Sequence, residues 1–305
     1  MKALAALIHR ELLEHKGAFL YAPAVLLGLF TLTLASAFAF NKVKVPIEVG
    51  MPTAVKFYEM AFLGMAGLWF VYLMIALFFY FADAFNADRR NNAMLFWKSM
   101  PVSDFGILSS KMLSGMTLFP AIIFFMLLVT GLVLYGMTGV ATVALPRLVV
   151  PTVPEILSSS VQVVSVALVY FAVAMLWYAP FFAWVGMLST LVGRWSIPLA
   201  FLIPGLAVLG ENLFVRGLPE IIGGFLFGGG PQGGYIADYL GRRFHFGPEQ
   251  NLMRDAFLSD TPVNAMVLIE NLFSGLDWVQ LAGGLIVAAL MVFAASEYRR
   301  RVVAT

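Results

Sequence analysis

The densest polar stretch of the chain is FNADRRNNAMLFWKSMPVSD, residues 85–104, which brings Asp88, Arg89, Arg90, Lys98 and Asp104 into twenty positions of a sequence that is 61% hydrophobic and 12% charged. The residue types needed for catalysis are scarce elsewhere. There is no cysteine, which removes disulfides, thiolate chemistry and Cys-ligated metal. The three histidines, His9, His15 and His245, fall outside the apolar runs, and no H-E-x-x-H occurs. No G-x-x-x-x-G-K-[ST] phosphate cradle occurs either; Lys16 precedes Gly17 instead of following it. The polarity at 85–104 is the exception that calls for a reason. By composition alone it is a solvated turn whose arginines and Phe96-Trp97 pair lie at a membrane surface.

One other ionisable residue stands out. Glu211, followed by Asn212, is the charge that lies furthest toward the interior of an apolar run. Acids at such depth mark candidate sites. Glu211 could meet a cationic substrate group at an outer gate or pair with Arg216, five residues on. Its position near the end of its run favours the structural role.

The elements that would hold these residues follow from where charge disappears. A soluble domain is about a quarter charged, so this composition defines an integral membrane protein. A helix crossing about 30 Å of hydrocarbon needs about 20 apolar residues. Six segments approach this, with cores at about 19–40, 61–82, 112–135, 163–187, 196–213 and 277–296. The fifth carries Pro198, Pro204 and Gly205, which predicts a break or kink. The fold class is thus all-α, with six transmembrane helices in a single transmembrane domain over 1–305. Basic residues are dispersed and form no stripe for nucleic acid.

An even number of crossings places both termini on one side. Eleven of the nineteen Lys and Arg residues fall there, and four of the other eight (Arg216, Arg242, Arg243, Arg254) belong to one long loop where the positive-inside rule weakens. Both termini are expected in the cytoplasm. Residues 35–37, Ala-Ser-Ala, could end a signal peptide, but the apolar stretch from Gly17 is longer than a signal core. Residues 1–17 read instead as an amphipathic interfacial helix, with Leu4, Leu7, Ile8 and Leu12 on one side and Lys2, Arg10, Glu14 and Lys16 on the other.

The stretch 85–104 then joins spans two and three in the cytoplasm. Its run Ala93 to Trp97 suits a short helix parallel to the membrane, which Pro101 stops, and Ser103 or Asp104 can cap the third span. Residues 215–275 are too long for a simple connection. They read as two short external helices, the first at about 218–228, separated by a polar excursion holding Tyr235, Tyr239, Arg242, Arg243, Phe244 and His245. That excursion reads as a structural cap, with a lid or partner surface as the alternative.

The order Asp88-Arg89, Leu95-Phe96, Pro101-Val102-Ser103, Ser110-Lys111 resembles the signature region of permease subunits of type-2 ABC exporters. The chain departs from it at Asn92-Ala93, where Gly-Thr is common, and at Ser110, where Gly is common. The family is also similar in its N-terminal connecting helix, six spans with cytoplasmic termini, coupling helix between spans two and three, and external helices between spans five and six. The resemblance implies that Asp88, Arg89, Arg90, Leu95, Phe96, Trp97, Pro101 and Ser103 form the contact with a separate ABC ATPase. It implies two permease copies with two ATPase subunits in a bacterial inner membrane. ATP and magnesium would be bound by the ATPase, with no cofactor or metal on this chain and no catalysis by it. Apolar faces rich in Phe and Met suit a hydrophobic or amphipathic cargo such as a drug, peptide antibiotic or lipid-linked molecule. Two other classes remain open. An ion-coupled secondary carrier usually needs buried carboxylates or broken helices in related halves, and the sequence shows no such relay or repeat. A membrane sensor or enzyme without transport is the other.

Overall fold

Apolar runs in lipid must satisfy every backbone amide internally, and the chain does so with helices. The computed structural model describes residues 2–40, 54–90, 103–144, 152–216, 234–244 and 262–302, and no strand occurs among them. The helices are α1 (Lys2–Lys16), α2 (Ala22–Ala39), α3 (Ala54–Arg90), α4 (Asp104–Leu113), α5 (Phe119–Ala144), α6 (Val153–Val192), α7 (Ser196–Arg216), α8 (Tyr235–Phe244), α9 (Ala265–Gly275) and α10 (Trp278–Val302). Among the described residues, five helical segments are long and apolar enough to cross a membrane: Ala6–Ala37, Val55–Ala87, Asp104–Gly139, Val153–Phe214 and Trp278–Arg301. The chain is a helical multi-pass membrane protein. The fourth segment contains two helices, because α6 ends at Val192 and Gly193 turns with φ 60° into a short 3-10 turn, Gly193–Trp195, before α7.

The helices run well past the apolar cores expected from sequence. The 40 residues of α6 extend about 60 Å, twice the hydrocarbon thickness. Nor is α7 broken at its prolines: it runs from Ser196 to Arg216 with Pro204 inside. Pro198 sits in the first turn, where its missing amide would be unpaired anyway. The N-terminal helix does not stop at residue 16 either. A π-turn, Gly17–Tyr21, carries α1 into α2, and a second, Ser114–Leu118, carries α4 into α5.

Contacts divide the chain into two compact units. The first comprises residues 1–77, 113–175 and 250–276. In it the ring of Phe19, from one π-turn, stacks on Phe119, just after the other, at 3.8 Å between centroids. Polar side chains tie its apolar helices: the Trp69 indole N–H donates to Thr130 Oγ1 at 2.9 Å, and the Tyr58 hydroxyl lies 2.9 Å from Ser160 Oγ. Gly131 has no room for a β-carbon, which would lie 2.6 Å from the Phe62 ring. Asn264 caps α9 by accepting from the amides of Met266 and Val267. Val263, Ala265 and Leu268 then pack on Val166 of α6.

The second unit comprises residues 78–112, 176–249 and 277–305. Phe81 stacks on Phe182 at 5.2 Å, and Phe85 lies against Gly186, again where a β-carbon would not fit. Ser196 Oγ–H donates to the Ala82 carbonyl at 3.1 Å, which fixes the start of α7 to α3.

Candidate functional site

The docking stretch expected at 85–104 is described at its two ends. Asp88, Arg89 and Arg90 are the last residues of α3, while Leu95, Phe96, Trp97 and Pro101 lie outside the described residues. Ser103 is exposed, and its Oγ accepts from the Gly106 amide at 3.1 Å, so this hydroxyl caps α4. Asp104, in the first turn of α4, meets Arg299 of α10 at 3.0 Å, and Arg299 is 4% exposed. Phe105 adds an edge contact to Phe293. The helix that follows the docking stretch is therefore anchored to α10 from its first residue. Lys111 is also buried, and its carbonyl accepts from the Tyr80 hydroxyl at 3.1 Å.

Beside the end of α3 is an open polar cleft of about 450 Å³, lined by Ala82, Asp83, Asn86 and the turn from Thr190 to Arg194. Trp195, adjoining this turn, is 65% exposed. The first unit has a groove of another kind. About 360 Å³ in volume and almost wholly apolar, it runs between Phe30 and Leu34 of α2, Met65 and Leu68 of α3, and Leu134 and Met137 of α5.

Glu211 and Asn212 each have a protein partner. Glu211 Oε2 accepts from the Ile236 amide at 2.8 Å, capping α8, and the carboxylate touches Gly234 where a side chain would not fit. Asn212 is buried and donates from Nδ2 to the Val208 carbonyl at 2.9 Å, within its own helix. Arg216 lies at the end of α7. The first external helix expected at 218–228 and His245 lie outside the described residues.

The burial of Glu59, of Lys56 beside it and of Arg243 was not foreseen from the sequence. Glu59, 0% exposed, accepts from Ser159 Oγ–H at 2.9 Å and from the Val263 amide at 3.0 Å, with Lys56 Nζ at 3.8 Å. Gln162 Oε1 accepts from the neighbouring Ala265 amide at 2.7 Å. Arg243 of α8 is 1% exposed and packs over the Trp177 ring. The signal for Glu59 was its nearness to the apolar run that starts at residue 60. Arg243 carried no signal apart from Arg242 beside it.

One group of donors is close enough for a metal ion among the described residues. Glu11, Glu14 and His15 offer ligand atoms within 4.8 Å of one another. Arg10 Nε already holds Glu14 at 2.6 Å, and His15 Nε2 lies 3.8 Å from a Glu11 oxygen.

Compared with known protein families, curated proteins and solved structures, the chain matches none.

Proposed function

We propose that the chain is the membrane-spanning subunit of an ATP-driven ABC exporter for a hydrophobic or amphipathic substrate such as a drug, a peptide antibiotic or a lipid-linked molecule. The observation that carries this reading is the setting of the signature-like stretch. It connects the end of α3 to a helix whose first residues are held by the Ser103 cap and the Asp104–Arg299 pair. A partner pressing on residues 91–102 would act on stiff helical ends at both sides, and coupling by rigid-body motion requires this.

In this reading Arg89 and Arg90 meet an acidic rim, and Phe96 and Trp97 fill a groove on the ATPase, with Asp88, Leu95, Pro101 and Ser103 shaping the contact. ATP and magnesium belong to that subunit. Counting α6 and α7 as separate crossings gives six spans with both termini in the cytoplasm of a bacterial inner membrane, and two copies of the chain enclose the pathway with two ATPases. The apolar groove between α2, α3 and α5 supports a lipid-soluble cargo.

A second reading, an ion-coupled carrier, draws on the buried Lys56–Glu59 pair. Both oxygens of Glu59 are already engaged by protein donors, which favours a fixed clamp over a proton site. The test is to extract the tagged chain in mild detergent and weigh what co-purifies. A Walker-A-bearing soluble subunit at one copy per permease is expected. A particle of this chain alone, under conditions that preserve control ABC complexes, would overturn the proposal.

A further inference from the structure

Arg243 is a buried cation with no carboxylate within ion-pair reach among the described residues. Its Nη1–H donates to the Trp177 carbonyl at 3.2 Å, Nη2–H donates to the Gln280 carbonyl, and the guanidinium lies 4.6 Å from the centre of the Trp177 ring. The Trp177 indole N–H returns a bond to the Arg243 carbonyl at 2.9 Å. Among the described residues, Arg243 Nε and Gln280 Oε1 are buried and have no hydrogen-bond partner. On α10, Gly284 leaves the space that the guanidinium fills: a β-carbon there would collide with Nη2. One arginine thus seats α8 on both α6 and α10.

The two ends of α8 are held differently. Its first turn is tied to α7 through the Ile236 amide and Glu211. Its last turn depends on Arg243 and on Phe244, whose ring packs on Phe181 at 4.7 Å. The other face is polar and aromatic, with Tyr235 and Tyr239 exposed and the Asp238–Arg242 pair in the open. Burying a charge against carbonyls and a ring, with one donor unmet, leaves much of its lost hydration uncompensated. An apolar side chain would seat the helix with no such penalty.

We propose that α8 is a releasable strap. It alternates between a seated position, with Arg243 between Trp177 and Gln280, and a lifted one in which the guanidinium reaches water while the Glu211 end stays tethered. The near balance of lost hydration against a few hydrogen bonds is what makes both positions accessible. The strap belongs to the second unit alone and is independent of what drives transport.

The chain has no cysteine, so spin labels at Tyr239→Cys and Val279→Cys, both exposed positions on α8 and α10, report the strap by pulsed EPR in lipid nanodiscs. The full-length chain should give two distances, a short major one and a longer minor one. Gly284→Ala, which expels the guanidinium, should raise the longer fraction by about tenfold, as loss of a charged hydrogen bond would. Arg243→Met should lower it, because an apolar side chain fills the seat without a buried charge. A single narrow distance in the unsubstituted chain would overturn the proposal, as would Arg243→Met lifting the strap as Gly284→Ala does. The unsubstituted measurement stands even if either variant fails to fold.

Discussion

Glu59 and Arg243 are both almost wholly buried charges, yet they are held in opposite ways. Around Glu59, in the first unit, a hydroxyl and a backbone amide donate to the carboxylate, and a lysine of opposite sign lies 3.8 Å away. Around Arg243, in the second, two carbonyls and an indole face stand in for a counter-charge, and Nε has no hydrogen-bond partner among the described residues. A balanced buried charge is a clamp, since removing any part of it leaves other groups unpaired. An unbalanced one can be released, because water would serve it as well. Burial alone therefore does not say whether a charge fixes a structure or lets it move; the list of partners does.

Four variants sharpen this comparison, each read from thermal unfolding in one detergent. Glu59→Ala strips acceptors from Ser159 and the Val263 amide and the acid from beside Lys56, and should cost about 3–5 kcal/mol. Replacing both partners, Lys56→Met with Glu59→Leu, should cost less than Glu59→Ala; equal costs would mean that the pair is no clamp. Ser159→Ala removes one hydrogen bond to the carboxylate and should cost about 1.5–3 kcal/mol. Arg242→Ala breaks a pair whose side chains are 65% and 55% exposed, so screening by water should keep its effect below about 1 kcal/mol. An Arg242 effect as large as that of Ser159 would contradict the assignment of Arg242 to the solvent face.

The helical class was legible in the sequence because hydrocarbon permits little else, and a cap at Ser103 or Asp104 was legible because both precede an apolar run; the structure gives that role to Ser103. The place of Glu211 near the end of a helix was legible, but its partner was not: nothing local links it to the Ile236 amide, 25 residues away. The extent of the helices was illegible for a physical reason. Counting charge-free windows finds where lipid can lie, whereas α3 and α6 continue through residues such as Lys56, Glu59 and Glu155 that a helix accepts readily. Lys56 and Glu59 were missed because the window began at residue 60, just beyond them. Arg242 and Arg243 are neighbours in sequence with opposite fates, since consecutive residues on a helix point about 100° apart. Of the break or kink expected in α7, the break does not occur: Pro198 falls in the first turn and the helix continues through Pro204.

The central claim is that residues 85–104 receive an ATPase. The most direct measurement is photo-crosslinking in native membranes with a photoreactive residue in place of Phe96, followed by mass spectrometry of the adduct. The account predicts a specific adduct with a soluble subunit bearing a Walker A sequence, and none from the same probe at exposed Leu132 of α5. Adducts with lipid alone at Phe96 would contradict it and return the stretch to a solvated turn.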